Sequence, residues 1–103
     1  MDMSQNYPKL ILYEGFGERE IDEMTLKGWF SATVELENRE HYTITFFDPI
    51  RLGQELTTLV KSGQPCFAEQ NLIVVSEVTL EIIQESIHFL WKSGFFSYLK
   101  PEN

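Results

Sequence analysis

The sequence is poor in cysteine, in histidine and in basic residues, and it has no long apolar run. Its single cysteine, Cys66, excludes an internal disulfide, which is consistent with a reducing compartment. The N-terminal apolar run, Leu10–Tyr13, is too short for a signal peptide or a membrane-spanning helix, and no basic residue precedes Lys9. We therefore predict a cytoplasmic protein of one domain, residues 1–103.

The shortage of basic residues gives the chain a net charge of −8, from 8 basic and 16 acidic residues. A chain with this charge is repelled by nucleic acids and by anionic membranes, so the sequence predicts neither as a partner. Acidic residues are concentrated before residue 41, which predicts a basic protein partner. The alternative is that the charge serves only to keep a small domain in solution.

Recognised motifs for catalysis or for binding a cofactor or metal are also missing. Gly15–Gly17 lacks the third glycine of a dinucleotide-binding turn, and Glu14–Glu23 lacks the spacing of an EF-hand loop. A phosphate site at a helix start needs free backbone N–H groups. At Asp48–Pro49 the Asp48 carboxylate takes the place of the anion, and Pro49 has no N–H to donate. The two histidines, His41 and His88, fall on different predicted elements. We predict no enzyme activity, no cofactor and no metal site.

Period-two alternation predicts an antiparallel pair of strands, Trp29–Leu36 and His41–Phe47, joined by a polar turn at Glu37–Glu40. A strand is also predicted at Lys9–Glu14, and another at Leu72–Val75, where the apolar run is continuous. The alternation assigns one face of the pair to the core: Phe30, Ala32, Val34, Leu36, Tyr42, Ile44 and Phe46.

Two helices are predicted from their N-caps, Asp48 and Thr79. The segment 16–28 has no clear assignment and fits a loop, a helical turn or the approach to a strand. The predicted order is β-β-β-α-β-α, an α+β two-layer sandwich in which a mixed sheet carries both helices on one face. The buried stripes are Leu52, Leu56, Leu59 and Val60 in the first helix, and Leu80, Ile83, Ile87, Leu90 and Trp91 in the second.

The sheet face without helices is the best candidate for a binding surface. Alternation places Trp29 opposite or diagonal to Phe47 on this face, among threonines and His41, and aromatic anchors within a polar rim are typical of interface centres. Two alternatives would cover these aromatic residues: the apolar tail Phe95–Leu99, or the segment 16–24. A homodimer through the same face is a third.

We therefore predict a non-enzymatic protein-binding module, in its most concrete form an inhibitor or immunity-type protein that blocks a basic partner. The alternative is a small-molecule-binding or enzymatic domain with a pocket between sheet and helices near Tyr42, His41 and Cys66. The predicted partner-binding residues lie on the open sheet face and in the acidic segment: Trp29, Thr33, His41, Thr43, Thr45 and Phe47, with Glu18, Glu20, Asp22 and Glu23.

Overall fold

A computed structural model describes residues 7–102 as an α+β fold with a four-stranded mixed sheet, as predicted. Residues 1–6, part of the segment in which no signal peptide is predicted, lie outside the described range. The sheet order is β1-β2-β3-β4, with β4 parallel to β3 and the other pairs antiparallel. The elements are β1 (Lys9–Ile11), α1 (Glu18–Lys27), β2 (Trp29–Glu35), β3 (His41–Phe47), α2 (Pro49–Lys61), β4 (Leu72–Val74), α3 (Leu80–Lys92) and a 3-10 turn (Phe95–Tyr98).

The predicted hairpin of β2 and β3 is confirmed, including its register. Trp29 pairs with Phe47, and Val34 pairs with Tyr42. Val34, Ile44 and Phe46 have no exposed surface, so the face that alternation assigns to the core is the core. We call this the inner face of the sheet, and the face that carries Trp29 and Thr45 the outer face.

Helix α1 is absent from the predicted order, in which segment 16–28 has no assignment. Its start is stabilised by Glu20, whose carboxylate accepts the Gly17 N–H at 3.0 Å, and its end by Gly28 with φ of 77°. Met24 is its one buried residue. The periodic signal is weak because Leu26, the next apolar residue, points to solvent with 87% of its surface exposed.

Helix α3 and the C-terminal residues close the core over the inner face. Ile83 and Ile87 are fully buried, as predicted, whereas Trp91, the last residue of the predicted stripe, is exposed. The tail does not cover the outer face, because Phe96 and Leu99 are buried in the same core cluster. The Phe96 ring packs edge-on against Tyr42 with a centroid separation of 5.2 Å.

Helix α2 begins as predicted, but its predicted packing is wrong. Asp48 Oδ1 accepts the Arg51 N–H at 2.7 Å, which confirms the N-cap. However, no residue of α2, all of which is described, is buried, and Leu56 and Val60 are 42% and 54% exposed. The core on the inner face is formed without α2, which instead borders the outer face. The inner-face core therefore contains residues of α1 and α3, whereas the predicted pair of helices is α2 and α3.

Candidate protein-binding surface

Trp29 lies at a tightly built junction where α1 ends and β2 begins. Gly28 has a positive φ, and a Cβ atom there would lie 2.7 Å from Asp48 Oδ2, so only glycine fits. The Asp48 N–H donates to the Gly28 carbonyl oxygen at 2.9 Å. The end of α1 and the start of α2 thus hold the half-buried Trp29 in place.

A cavity of about 240 Å³ lies beside Trp29, where the chain leaves β1 and enters α1. Phe16 contacts two other rings edge-on, with centroids 5.4 Å from Tyr13 and 5.6 Å from Phe30. We call this space the Trp29 cavity. Four aromatic side chains, two carboxylates and one ammonium group are among its lining residues: Tyr13, Phe16, Trp29, Phe30, Glu20, Glu23 and Lys27, with Met24 and Ser31.

The charged groups of the Trp29 cavity come from one side of α1. The Gly17 N–H donates to Glu20, and this hydrogen bond holds the pKa of Glu20 below its usual value. Glu23 forms an exposed ion pair with Arg19 at 3.5 Å. The Lys27 ammonium lies 5.9 Å from the centroid of the Trp29 ring, within cation–π range. The aromatic side chains therefore share the cavity with two carboxylates, and one ammonium group lies within cation–π range of Trp29.

A second cavity, of about 360 Å³, also borders Trp29 and extends along the outer face to α2. There the Arg51 guanidinium is held by Glu55, with Nε and one terminal nitrogen 3.1 and 3.0 Å from the same carboxylate oxygen. Trp29 is therefore shared by two concave regions. The other lining residues are Ser31, Thr45, Phe47 and Glu69.

The structure brings together part of the predicted binding set. Trp29, Glu20 and Glu23 line one cavity, so the predicted aromatic anchor and the predicted acidic segment meet there. Glu18 and Asp22 are exposed on α1 outside that lining. Their role in partner binding stays a prediction.

The expected exposure of Phe47 is wrong. Phe47 is only 6% exposed and packs edge-on against Phe67, with centroids 5.5 Å apart. Phe67 belongs to the segment that joins α2 to β4, a connection that the sequence pattern does not place over the outer face. Thr45, on the same face, is also buried. Neither covering segment weighed from the sequence, the C-terminal tail or the segment 16–24, supplies this contact.

His41, Thr43 and Thr33 lie toward the other end of the outer face. His41 Nε2 is 3.4 Å from a carboxylate oxygen of Glu35, and Thr33 pairs with Thr43. The last described residue, Glu102, donates its N–H to the His41 carbonyl oxygen at 2.7 Å and bonds the Thr43 hydroxyl through its carboxylate. The chain end therefore covers the edge of β3 next to two of the predicted binding residues.

The residues of the predicted alternative pocket do not converge on a space between sheet and helices. His41 and Tyr42 are neighbours on β3 and point to opposite faces. Tyr42 is in the core, where burial and a hydrogen bond to Glu40 raise the pKa of its hydroxyl. Cys66 is exposed, not the small buried residue that its apolar neighbours suggest. Within residues 7–102, no three His, Cys, Asp or Glu side chains form a group able to hold a metal ion.

Sequence reasoning missed Tyr13, Phe16 and Lys27 as parts of the site. One signal was available, because Glu20, Glu23 and Lys27 recur at helical spacing and so share one side of a helix. Tyr13 and Phe16 carry no such signal, since a turn after β1 brings them to Trp29.

No protein-family model, curated protein or solved structure matches this chain. None of the helices within residues 7–102 is long and apolar enough to cross a membrane.

Proposed function

We propose that this protein is a non-enzymatic protein-binding module that captures a basic partner through the surface around Trp29. The observation that supports this function is the Trp29 cavity, which combines four aromatic side chains with the carboxylates of Glu20 and Glu23. Interface centres are enriched in aromatic residues, and their rims are polar.

An arginine or lysine side chain of the partner is the group that this cavity suits best. An aromatic ring attracts a cation above its face by about 0.5–1 kcal/mol at an exposed site and by more where water is excluded. The Lys27 ammonium over Trp29 is an intramolecular example of this contact. A guanidinium from a partner would gain the same ring together with the carboxylates of Glu20 and Glu23.

The overall charge supports the same partner. At −8, the chain attracts a basic protein at long range, which raises the association rate and makes it sensitive to salt. In its most specific form the proposal is an inhibitor or immunity-type protein that blocks a basic protein. We place this function in the cytoplasm, since the one cysteine is exposed and would be reactive in an oxidising compartment.

Capture followed by reconstitution tests the proposal. Tagged wild-type protein is compared with Trp29→Ala in lysate of the cells that express it, and the retained protein is purified and titrated against both forms. The matched control is Leu26→Ala, because Leu26 is an exposed apolar residue at the end of α1 that does not line the cavity. Phe47→Ala is unsuitable, since loss of this buried ring would perturb the fold.

We expect a basic partner that Trp29→Ala binds at least about thirtyfold more weakly, the loss that defines a hot spot, and that Leu26→Ala binds normally. Binding should also weaken as salt concentration rises. An acidic partner, or equal affinity for the wild type and Trp29→Ala, would overturn the proposal. A homodimer through the outer face stays a separate prediction, and sedimentation of the wild type against Trp29→Ala tests it.

A further inference from the structure

Strand β4 forms an open edge of the sheet. Among residues 7–102 it pairs only with β3, through Leu72, Ile73 and Val74. The Asn71 carbonyl oxygen accepts the Thr45 N–H at 3.0 Å, and the Val75 N–H donates to the Phe47 carbonyl oxygen at 2.9 Å. Alternate residues of a strand direct their backbone groups to opposite edges. The N–H and C=O groups of Leu72 and Val74 therefore face away from β3 and are available to another strand.

An apolar groove runs beside this open edge, between β4 and α3. It has a volume of about 340 Å³ and lies between Ile73 and Val74 on the strand and Phe89 and Leu90 on the helix. Phe89 is 70% exposed and Val74 is 48% exposed, so both present apolar surface to solvent. Unpaired backbone groups next to an apolar groove are the two features that a strand-addition site combines.

The charge around the groove identifies its occupant. Glu85 lines the groove, and Glu81 lies one helical turn away on the same side of α3. In a second copy paired through the same edge, the two α3 helices would bring these glutamates toward each other, which is unfavourable. Because alternate side chains of a strand point to opposite faces, an extended segment that carries both apolar and basic side chains on the face turned to α3 would place apolar groups in the groove and cations against the glutamates.

We propose that β4 and the groove bordered by Phe89 bind an extended segment of a basic protein as a fifth strand. The segment's backbone pairs with Leu72 and Val74, and its apolar side chains contact Phe89 and Leu90. This site shares no residue with the Trp29 cavity. It can therefore be tested without knowing whether the Trp29 surface binds a partner.

The probe is the peptide acetyl-TRTVTVTRT-amide, whose valines and arginines share one face, titrated into isotope-labelled protein at physiological salt and followed by NMR. Two twins of the same charge carry backbone N-methyl groups, one on the arginines and valines and the other on the three threonines between them. Since these two sets of residues direct their N–H groups to opposite edges of the peptide strand, one twin loses the edge that pairs with β4 and the other keeps it.

Three variants locate the site. Val74→Pro removes the outward N–H while leaving the bonds to β3, because Val74 does not donate to β3 and proline is tolerated on edge strands. Phe89→Ala removes the exposed ring with little effect on the fold. The matched control is Leu26→Ala, which removes a side chain on α1 that is also largely exposed and lies outside the groove.

We expect shifts at the Leu72 and Val74 amides, binding to one N-methylated twin only, and affinity at least about tenfold lower for Val74→Pro and for Phe89→Ala, with Leu26→Ala unchanged. Equal binding of both twins would show charge attraction without strand pairing and would overturn the proposal. So would an absence of binding at about 1 mM peptide, the affinity of a very weak complex. Wild-type self-association that Val74→Pro abolishes would overturn it in favour of a second copy.

Discussion

Helices α2 and α3 are alike in sequence and different in environment. Each has 13 residues, begins at a side-chain N-cap, Asp48 or Thr79, and carries an apolar stripe. Each also ends in the same lysine–serine–glycine sequence. Yet α3 buries Ile83 and Ile87, whereas α2, which is described over its whole length, buries no residue.

The difference shows that an apolar stripe predicts an amphipathic helix but not the surface that the helix will cover. Helix α3 packs on the inner face, where Val34 and Ile44 supply apolar partners. Helix α2 borders the outer face, where Arg51 and Glu55 line a cavity with Ser31 and Thr45. The outer face offers a helix few apolar contacts, so the stripe of α2 stays largely exposed.

The largest expected difference between the two helices is in stability, when an apolar stripe residue is replaced by alanine. Ile83→Ala should lower the free energy of unfolding by about 2–5 kcal/mol, because Ile83 is fully buried. Leu56→Ala should lower it by less than about 1 kcal/mol, since Leu56 is 42% exposed. Urea unfolding with a common m-value measures both. A loss above about 2 kcal/mol for Leu56→Ala would mean that α2 packs as tightly as α3.

The sequence predicts those features in which each residue's environment follows from its neighbours in the chain. Alternation predicts β2, β3 and their register, and the two N-caps predict where α2 and α3 begin. Helix α1 is not predicted, because Met24 is its one buried residue and a single buried position gives no periodic pattern. Two contacts of the site are not predicted either. Tyr13 reaches Trp29 through a turn, and Phe67 reaches Phe47 from a connection without regular structure. Such contacts depend on tertiary packing, which no periodic pattern records.

A second, smaller effect tests whether α2 and its connection to β4 contribute to the fold through Phe67. Phe67 packs edge-on on the buried Phe47 and is itself half-buried. Phe67→Ala should therefore cost about 1–3 kcal/mol, less than the loss of a fully buried phenylalanine. The control is Tyr98→Ala, which removes a largely exposed ring. Equal stability of the two variants would show that the connection leaves Phe47 unprotected.

The caps provide a finer comparison. Asp48→Ala and Thr79→Ala each remove a side-chain acceptor, for the N–H groups of Arg51 and Ile82, and each should cost about 0.5–2 kcal/mol. The effects should appear in different places. Because α2 has no buried residue, Asp48→Ala should mainly speed amide exchange within α2, whereas Thr79→Ala should lower global stability. Hydrogen exchange resolved by residue measures this, and faster exchange across the whole sheet in Asp48→Ala would contradict it.

Helix α1 has one buried residue, which is more than α2 has and fewer than α3 has. The smallest expected effect concerns the cap of α1. The Gly17 N–H donates to the Glu20 carboxylate and keeps its pKa below the ordinary value of 4.5. A pKa that is lower in the folded state means that the cap stabilises fully at pH values above the unfolded pKa and is lost as pH falls through the folded one. NMR titration of the Glu20 carboxyl should therefore give a midpoint below the ordinary value for a glutamate side chain. Glu20→Gln is the control, since its amide oxygen can still accept the Gly17 N–H but does not titrate, so the acid-induced fraying of α1 should disappear. A Glu20 midpoint at or above the ordinary value would mean that the cap does not form in solution.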